Sequence, residues 1–232
     1  MIILLQFQLA EVGHILRNIC NLVPGGVVCF LPSYTYEETV YENLKATGVL
    51  ESISKKKCVF REPKSAADVD QVLSKYAKAV QNKQGCSTGA LMLSVVGGKL
   101  SEGLNFSDDL GRCVIVVGMP YPNIKSPELK EKMKYLDRMV SPNAGHIYYE
   151  NLCMKAVNQC IGRAVRHIDD YACVLLLDER YSRPQTVSAL PSFVQRSLIT
   201  DSAFGSTISN VAKFFARQKQ KSFNESDNKC NK

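Results

Sequence analysis

The sequence is poor in the residues from which metal sites and disulfide frameworks are built. Its 232 residues include no tryptophan, three histidines (His14, His146 and His167) and no Cys-x-x-Cys pair. The nine cysteines are an odd number, and the two closest, Cys153 and Cys160, are seven residues apart. A dispersed, odd set of thiols is typical of a reduced intracellular protein, so we expect neither a zinc site nor a disulfide framework.

Long apolar runs are also missing. No stretch reaches the roughly 18–20 apolar residues that a membrane-spanning helix needs, so no membrane is expected. The apolar residues 1–10 have no basic leader and are interrupted by Gln6 and Gln8, which does not predict a signal peptide. With 45% hydrophobic and 22% charged residues and a net charge of +7, the composition is that of a mildly basic globular domain.

Short apolar runs alternate with amphipathic stretches along the chain. The apolar runs are continuous, which is typical of strands buried on both faces, and they cover residues 26–31, 57–61, 90–96, 113–118 and 172–177. Helical patterns lie at residues 9–22, 36–45, 66–81, 127–139 and 147–167. This alternation predicts an α/β fold in which helices flank both faces of a parallel sheet. Residues 218–232 are basic and poor in large apolar side chains, and predict a flexible tail.

A glycine-rich loop at residues 97–106 follows one of the predicted strands. Lys99 and Ser101 offer a cation and a hydroxyl to a phosphate, but a Walker A motif would need Gly where Leu93 stands and Ser or Thr at Leu100. Taken alone, the loop is better interpreted as an ordinary glycine turn.

Two other strand ends carry polar residues. Ser33 and Tyr34 suit contact with the backbone and bases of a single strand, or a simple turn. Asp178 and Glu179 resemble a Walker B ending, but without a Walker A loop we expect Asp178 to pair with a neighbouring arginine.

The helical pattern at residues 149–167 gathers polar residues on one face. This face holds three cations and no acid, in the set Asn151, Lys155, Asn158, Gln159, Gly162, Arg163 and Arg166. Glycine costs about 1 kcal/mol relative to alanine inside a helix, a cost that close approach of a ligand would explain. The pattern fits either a solvated basic face or a polyanion site gripped by Arg163 and Arg166.

These motifs occur in a fixed order along the chain. Phe30-Leu-Pro-Ser-Tyr34, then Ser101-Glu102-Gly103-x-Asn105-Phe106, then Gln159-x-x-Gly162-Arg163-x-x-Arg166 together resemble motifs IV, V and VI of superfamily 2 helicases. The resemblance is to the DEAH-type iron–sulfur DNA helicases, and most to the subfamily implicated in sister-chromatid cohesion. Further similar wording includes Glu62-Pro-Lys64 and residues 118–123, and the resemblance spans residues 12–217.

The resemblance implies a second RecA-like motor domain at residues 9–217, after a non-family start at 1–8 and before the basic tail at 218–232. ATP and Mg²⁺ would lie in a cleft shared with a first motor domain, which carries the Walker motifs and, in the full-length family, the iron–sulfur cluster. The family also implies 5′-to-3′ unwinding of single-stranded or forked DNA in the nucleus, in DNA repair and cohesion.

The resemblance assigns roles residue by residue. Arg163 and Arg166 would be the arginine fingers. The nucleotide would be bound by Gln159, Gly162, Glu102, Gly103 and Asn105, and the DNA by Ser33, Tyr34, Lys99 and Ser101.

A different class of function stays open. The chain could be a non-catalytic, truncated interaction module that binds DNA or helicase partners, including cohesion or replication factors. In either case we expect no ATP hydrolysis by this chain alone, because it lacks a loop to hold the β-phosphate.

Overall fold

One sheet of seven strands forms the centre of the molecule. The computed structural model describes residues 2–5, 11–82, 87–100, 106, 108–163, 170–200 and 203–230. The strands are β1 (Ile2–Leu5), β2 (Gly25–Leu31), β3 (Cys58–Arg61), β4 (Gly89–Val95), β5 (Cys113–Val117), β6 (Cys173–Leu177) and β7 (Leu198–Thr200). Their order is β3-β4-β2-β5-β6-β1-β7, and all neighbouring pairs are parallel.

Helices cover both faces of this sheet. Those of the described residues are α1 (Val12–Leu22), α2 (Tyr34–Ala46), α3 (Val49–Ser54), α4 (Val69–Gln81), α5 (Pro127–Met139), α6 (Ala144–Gly162), α7 (Pro184–Ser188), α8 (Ser192–Gln195) and α9 (Phe204–Cys230). Helices α1, α2, α3 and α9 pack on one face, and α4 and α6 pack on the other. The predicted α/β fold with helices on both faces is confirmed.

The pleat of the strands divides the core into two layers. In β2, Val27 and Cys29 point to the layer under α1, while Val28 and Phe30 point to the layer under α4 and α6. Every residue of β2, β4, β5 and β6 is buried. This two-sided burial explains why the strands are continuously apolar in sequence.

The five predicted strands are confirmed to within one residue, and two strands were not predicted. Strand β7 has three residues and is partly exposed, so it carries little pattern. Strand β1 lies between β6 and β7, which corrects the boundary that left residues 1–8 outside the domain. Its partners come from the far end of the chain, and sequence periodicity does not show such pairing.

The helix ends also differ from the prediction. Helix α2 begins at Tyr34 because the Ser33 hydroxyl accepts a hydrogen bond from the backbone N–H of Tyr36. Helix α6 ends at Gly162, before the predicted end at 167. None of the described helices combines the length and apolar character needed to cross a bilayer.

Helix α9 runs on to Cys230, through the stretch for which the sequence predicts a flexible tail. Val211 and Phe215 anchor this helix in the core layer under α1. Residues 216–221, which follow directly, are all Ala, Arg, Gln or Lys, and these residue types propagate a helix well once it has been nucleated.

The buried thiols predict that the protein loses stability in mild alkali. Burial raises the pKa of Cys20, Cys153 and Cys160 to about 12, whereas an unfolded thiol ionises near 8.5. Above about pH 8.5 the unfolded chain therefore releases protons that the folded protein keeps. Each thiol lowers the unfolding free energy by up to about 1.4 kcal/mol per pH unit in this range. Denaturant titrations between pH 7.5 and 10, with reductant present, measure this decline.

One buried group acts in the opposite direction. Burial lowers the pKa of Lys57 to about 8, so this group adds stability as the pH rises towards the ordinary lysine value. Because several thiols oppose a single ammonium, we still expect a net decline. The matched variant is Cys160→Ala, which removes one of these buried thiols and should make the decline of stability with pH less steep. Stability that rises steadily from pH 8.5 to 10 would contradict the prediction.

Candidate functional site

The carboxyl ends of β2 and β4 bring three predicted DNA-binding residues to one edge of the sheet. Ser33 and Tyr34 follow β2 and Lys99 follows β4, and these two strands are direct neighbours. All three residues are exposed at this edge, and 38% of Tyr34 is accessible to solvent. Ser101, the fourth predicted residue, lies outside the described residues.

A buried carboxylate that the sequence analysis gave no role holds this edge together. Glu62 directly follows β3, and its Oε1 accepts hydrogen bonds from the Tyr34 hydroxyl (3.0 Å) and the backbone N–H of Leu100 (3.3 Å). Its Oε2 accepts from the Ser94 hydroxyl (2.7 Å) and the backbone N–H of Val95 (2.6 Å). The sequence held one signal that could have identified Glu62, namely an acid at the end of an edge strand, beside a glycine turn.

Lys99 is tied to the same segment. Its ammonium donates a hydrogen bond to the backbone oxygen of Lys64, two residues after Glu62. Burial, and then the hydrogen bond to Glu62, raise the pKa of Tyr34, so its hydroxyl stays protonated and able to donate. The edge thus presents an aromatic ring, a cation and a hydroxyl in fixed relation.

Helix α6 separates its polar face from its buried face as the sequence pattern predicts. Asn151, Lys155, Gln159 and Gly162 are exposed on one side, and the opposite side buries Cys153, Met154, Val157, Cys160 and Ile161. Arg163 is half-buried and caps the C-terminus of the helix. Arg166 lies outside the described residues.

An open groove runs along this polar face. It has a volume of about 530 Å³ and is lined by Asn151, Met154, Lys155, Asn158, Gln159 and Ala189. Asn158 donates a hydrogen bond to the backbone oxygen of Ala189 (2.9 Å), which fixes the turn after α7 against α6. The groove therefore combines a cation with amide groups on a rigid wall.

The direction of α6 places Arg163 away from the sheet edge that holds Ser33, Tyr34 and Lys99. Near its start, the Tyr149 hydroxyl donates to the backbone oxygen of Pro122 (3.0 Å), just past the carboxyl end of β5. After the helix, Asp170 binds Arg112 (2.7 Å), just before the amino end of β5. Helix α6 thus runs antiparallel to the strands, and Arg163 lies about 20 Å along its axis from Tyr149.

The remaining predicted nucleotide-binding residues fall in an undescribed stretch. Glu102, Gly103 and Asn105 lie outside the described residues. Leu100 and Phe106, which flank them, are both buried in the core layer under α4 and α6.

Asp178 pairs with an arginine, as expected for an acid at the end of a buried strand. Its carboxylate binds the Arg180 guanidinium through two hydrogen bonds of 2.8 and 2.7 Å. Burial raises the pKa of Asp178, but the hydrogen bonds with Arg180 outweigh this effect and leave it lowered. The side chain is committed within the domain, which disfavours a Walker B role.

Comparison with known proteins decides the family. A family model described as the helicase C-terminal domain matches residues 16–197. The chain belongs to this family. That match includes Ser33, Tyr34, Glu62 and Lys99 at the sheet edge and the whole of α6.

Relatives of this helicase C-terminal domain are much longer proteins. The ATP-dependent DNA helicase DDX11 of Danio rerio is 52% identical over 221 residues, covering 92% of this chain and 25% of the relative. The ATP-dependent DNA helicase CHL1 of Candida albicans is 45% identical over 200 residues, covering 82% of this chain and 23% of the relative. The chain therefore spans about a quarter of the length of these relatives.

Solved structures confirm the RecA-like fold. An XPD helicase structure superposes with a TM-score of 0.60 at 20% identity, covering 87% of this chain and 35% of that chain. Together with the family match and the curated relatives, this confirms the resemblance to the second motor domain of a helicase.

The two glycines of α6 predict opposite effects of alanine. A Cβ on Gly145 would lie 2.5 Å from the backbone oxygen of Met133, whereas a Cβ on Gly162 meets no atom of the described residues within 4 Å. We expect Gly162→Ala to stabilise the protein by up to about 1 kcal/mol, because alanine is the better helix former and fits without strain. Thermal unfolding of Gly162→Ala, with Gly145→Ala as the destabilised control, measures the difference. A lower melting temperature for Gly162→Ala would show that folding itself requires this glycine.

Proposed function

We propose that this helicase C-terminal domain is the second motor domain of an ATP-dependent 5′-to-3′ DNA helicase that acts in the nucleus in cohesion and repair. The observation that carries the proposal is the family match over residues 16–197, which includes both the Tyr34–Lys99 edge and the Gln159–Arg163 end of α6. The names of the similar proteins, which are ATP-dependent DNA helicases, support the same class of activity.

The sheet edge would hold the backbone of single-stranded or forked DNA. Lys99 supplies charge, Ser33 and Ser101 supply hydroxyls, and the Tyr34 ring is exposed enough to contact a base or sugar. Contacts of these types are largely independent of sequence and weaken as salt is added.

The end of α6 would face ATP bound on a first motor domain. Arg163 and Arg166 would neutralise the charge that develops on the γ-phosphate during its transfer to water. Gln159, Glu102, Gly103 and Asn105 would contact the nucleotide, and the bare backbone at Gly162 would allow close approach. Among the residues that the structure describes, no atom lies within 4 Å of the position that a Cβ on Gly162 would take, so their packing does not explain a glycine here, which supports this role.

The groups needed for the rest of the reaction would come from the partner domain. Asp178 is bound to Arg180, so Mg²⁺ and the β-phosphate would be held by the first motor domain. Mg²⁺ supplies charge neutralisation at the phosphates when it is bound with ATP. The iron–sulfur cluster of the full-length family would likewise belong to the first motor domain.

A domain exchange tests the motor role. Residues 16–197 replace the matching segment of the Danio rerio relative, and DNA-stimulated ATP hydrolysis is measured with and without Arg163→Ala. We expect the chimera to hydrolyse ATP and Arg163→Ala to reduce kcat by roughly 10³, because an arginine finger acts on the transition state.

The matched control for this exchange is Arg17→Ala. Arg17 lies on α1, on the opposite face of the sheet, so its loss leaves turnover unchanged. A chimera that folds and binds DNA but hydrolyses no ATP would favour the non-catalytic interaction module.

The chain by itself predicts DNA binding without turnover. Fluorescence anisotropy with a labelled oligothymidine should show that the logarithm of the binding constant falls linearly with the logarithm of the salt concentration. Lys99→Ala should reduce that slope by about one, because it removes one phosphate contact. Lys45→Ala, at the far end of α2 from Tyr34, should leave the slope unchanged. ATP hydrolysis by residues 1–232 alone would contradict the half-motor proposal.

A further inference from the structure

We propose that Glu62 is a positioning residue that ties Tyr34 to the Gly97–Lys99 turn and so sets the shape of the surface that contacts single-stranded DNA. The DNA part of this inference rests on the proposed function. Glu62 itself is buried beneath that surface, with 7% of the residue accessible, so it acts through the groups it binds.

The two carboxylate oxygens of Glu62 have different kinds of partner. Oε2 binds Ser94 and Val95, which belong to the buried strand β4. Oε1 binds the Tyr34 hydroxyl at the start of α2 and the backbone N–H of Leu100 just after Lys99. One oxygen is therefore anchored to the rigid sheet, and the other holds two surface segments in register.

The turn is fitted closely around this carboxylate. A Cβ on Gly98 would lie 2.0 Å from Oε1, so only glycine allows the chain to pass this close. The backbone oxygen of Lys64, two residues after Glu62, also accepts the Lys99 ammonium. A single short segment after β3 thus positions both the ring of Tyr34 and the charge of Lys99.

The site requires a carboxylate and excludes its amide. A backbone N–H points at each oxygen, from Val95 at Oε2 and from Leu100 at Oε1. A backbone N–H only donates, and an ionised carboxylate only accepts. In Glu62→Gln the amide nitrogen would face one of these N–H groups in either orientation, so the connection between the sheet at Oε2 and the two surface segments at Oε1 is broken on one side or the other.

The test measures oligothymidine affinity by anisotropy for residues 1–232 carrying Glu62→Gln, Tyr34→Phe or both. We expect about a tenfold loss for Glu62→Gln and a smaller loss for Tyr34→Phe, because the second change frees only the ring. The two losses should not add, since Tyr34→Phe already breaks one link through which Glu62 acts. Additive losses, or wild-type affinity in Glu62→Gln, would overturn the inference.

Asp170→Asn separates positioning from general destabilisation. The Asp170 side chain is fully buried at the amino ends of the strands, at the other end of the sheet from Glu62. There it accepts hydrogen bonds from Arg112 and from the backbone N–H of Tyr171. The change is the same replacement of a carboxylate by an amide, so it should lower the melting temperature yet leave oligothymidine affinity unchanged. An equal loss of affinity in Asp170→Asn would mean that Glu62 matters only for stability.

Hydrogen exchange tests, without any DNA, whether Glu62 holds Tyr34 and the Gly97–Lys99 turn together. Glu62→Gln should accelerate exchange at the start of α2 and at residues 97–100, whereas Asp170→Asn should accelerate it only at the amino edge. If the unmodified chain binds no oligothymidine while Glu62→Gln loosens both segments, the proposed function fails and the tie stands. If Glu62→Gln leaves exchange in both segments at wild-type rates, the tie is wrong.

Discussion

Burial of the sheet on both faces is the constraint on which the rest of the structure depends. Strands β2, β4, β5 and β6 are buried at every residue, so apart from Ser94 they carry no polar side chain, and their backbone groups pair with one another. Polar chemistry is thereby restricted to the ends of the strands and to the outer faces of the helices. The Tyr34–Lys99 edge is one such set of strand ends, and the polar face of α6 is one such helix face.

Two buried charges flank the edge strand β3 and complete the pairing of backbone groups at opposite ends of the sheet. Before β3, the Lys57 ammonium donates to the backbone oxygens of Val23 (2.7 Å), Gly25 (2.7 Å) and Thr88 (3.1 Å). After β3, Glu62 accepts from backbone N–H groups where β4 ends. Each charge satisfies groups that the sheet leaves unpaired, which explains how both tolerate burial.

The antiparallel course of α6 gives the domain two separate working surfaces. The groups proposed for DNA lie at the carboxyl edge, and the groups proposed for the nucleotide lie towards the other end of α6. Leu100 and Phe106, which flank several of the residues proposed for the nucleotide, are both buried in the core layer shared with α6. A motor domain needs such a separation, because nucleotide state and DNA grip must be coupled through the protein rather than by direct contact. The proposed nucleotide site would need a second domain, and the curated relatives are about four times as long as this chain.

Local pattern in the sequence was sufficient to predict strands β2 to β6, the main helices and the ordered motifs. These features depend on burial periodicity and residue type within short windows. It also predicted the amphipathic division of α6 and the pairing of Asp178 with an arginine. It could not show strand β1, which pairs with residues more than 170 positions away, or the continuation of α9, which depends on anchoring by Val211 and Phe215. Only the tertiary structure revealed Glu62 as the common partner of Tyr34 and the turn before Leu100, because hydrogen bonds between residues 28 and 38 positions apart arise from strand order and leave no periodic trace.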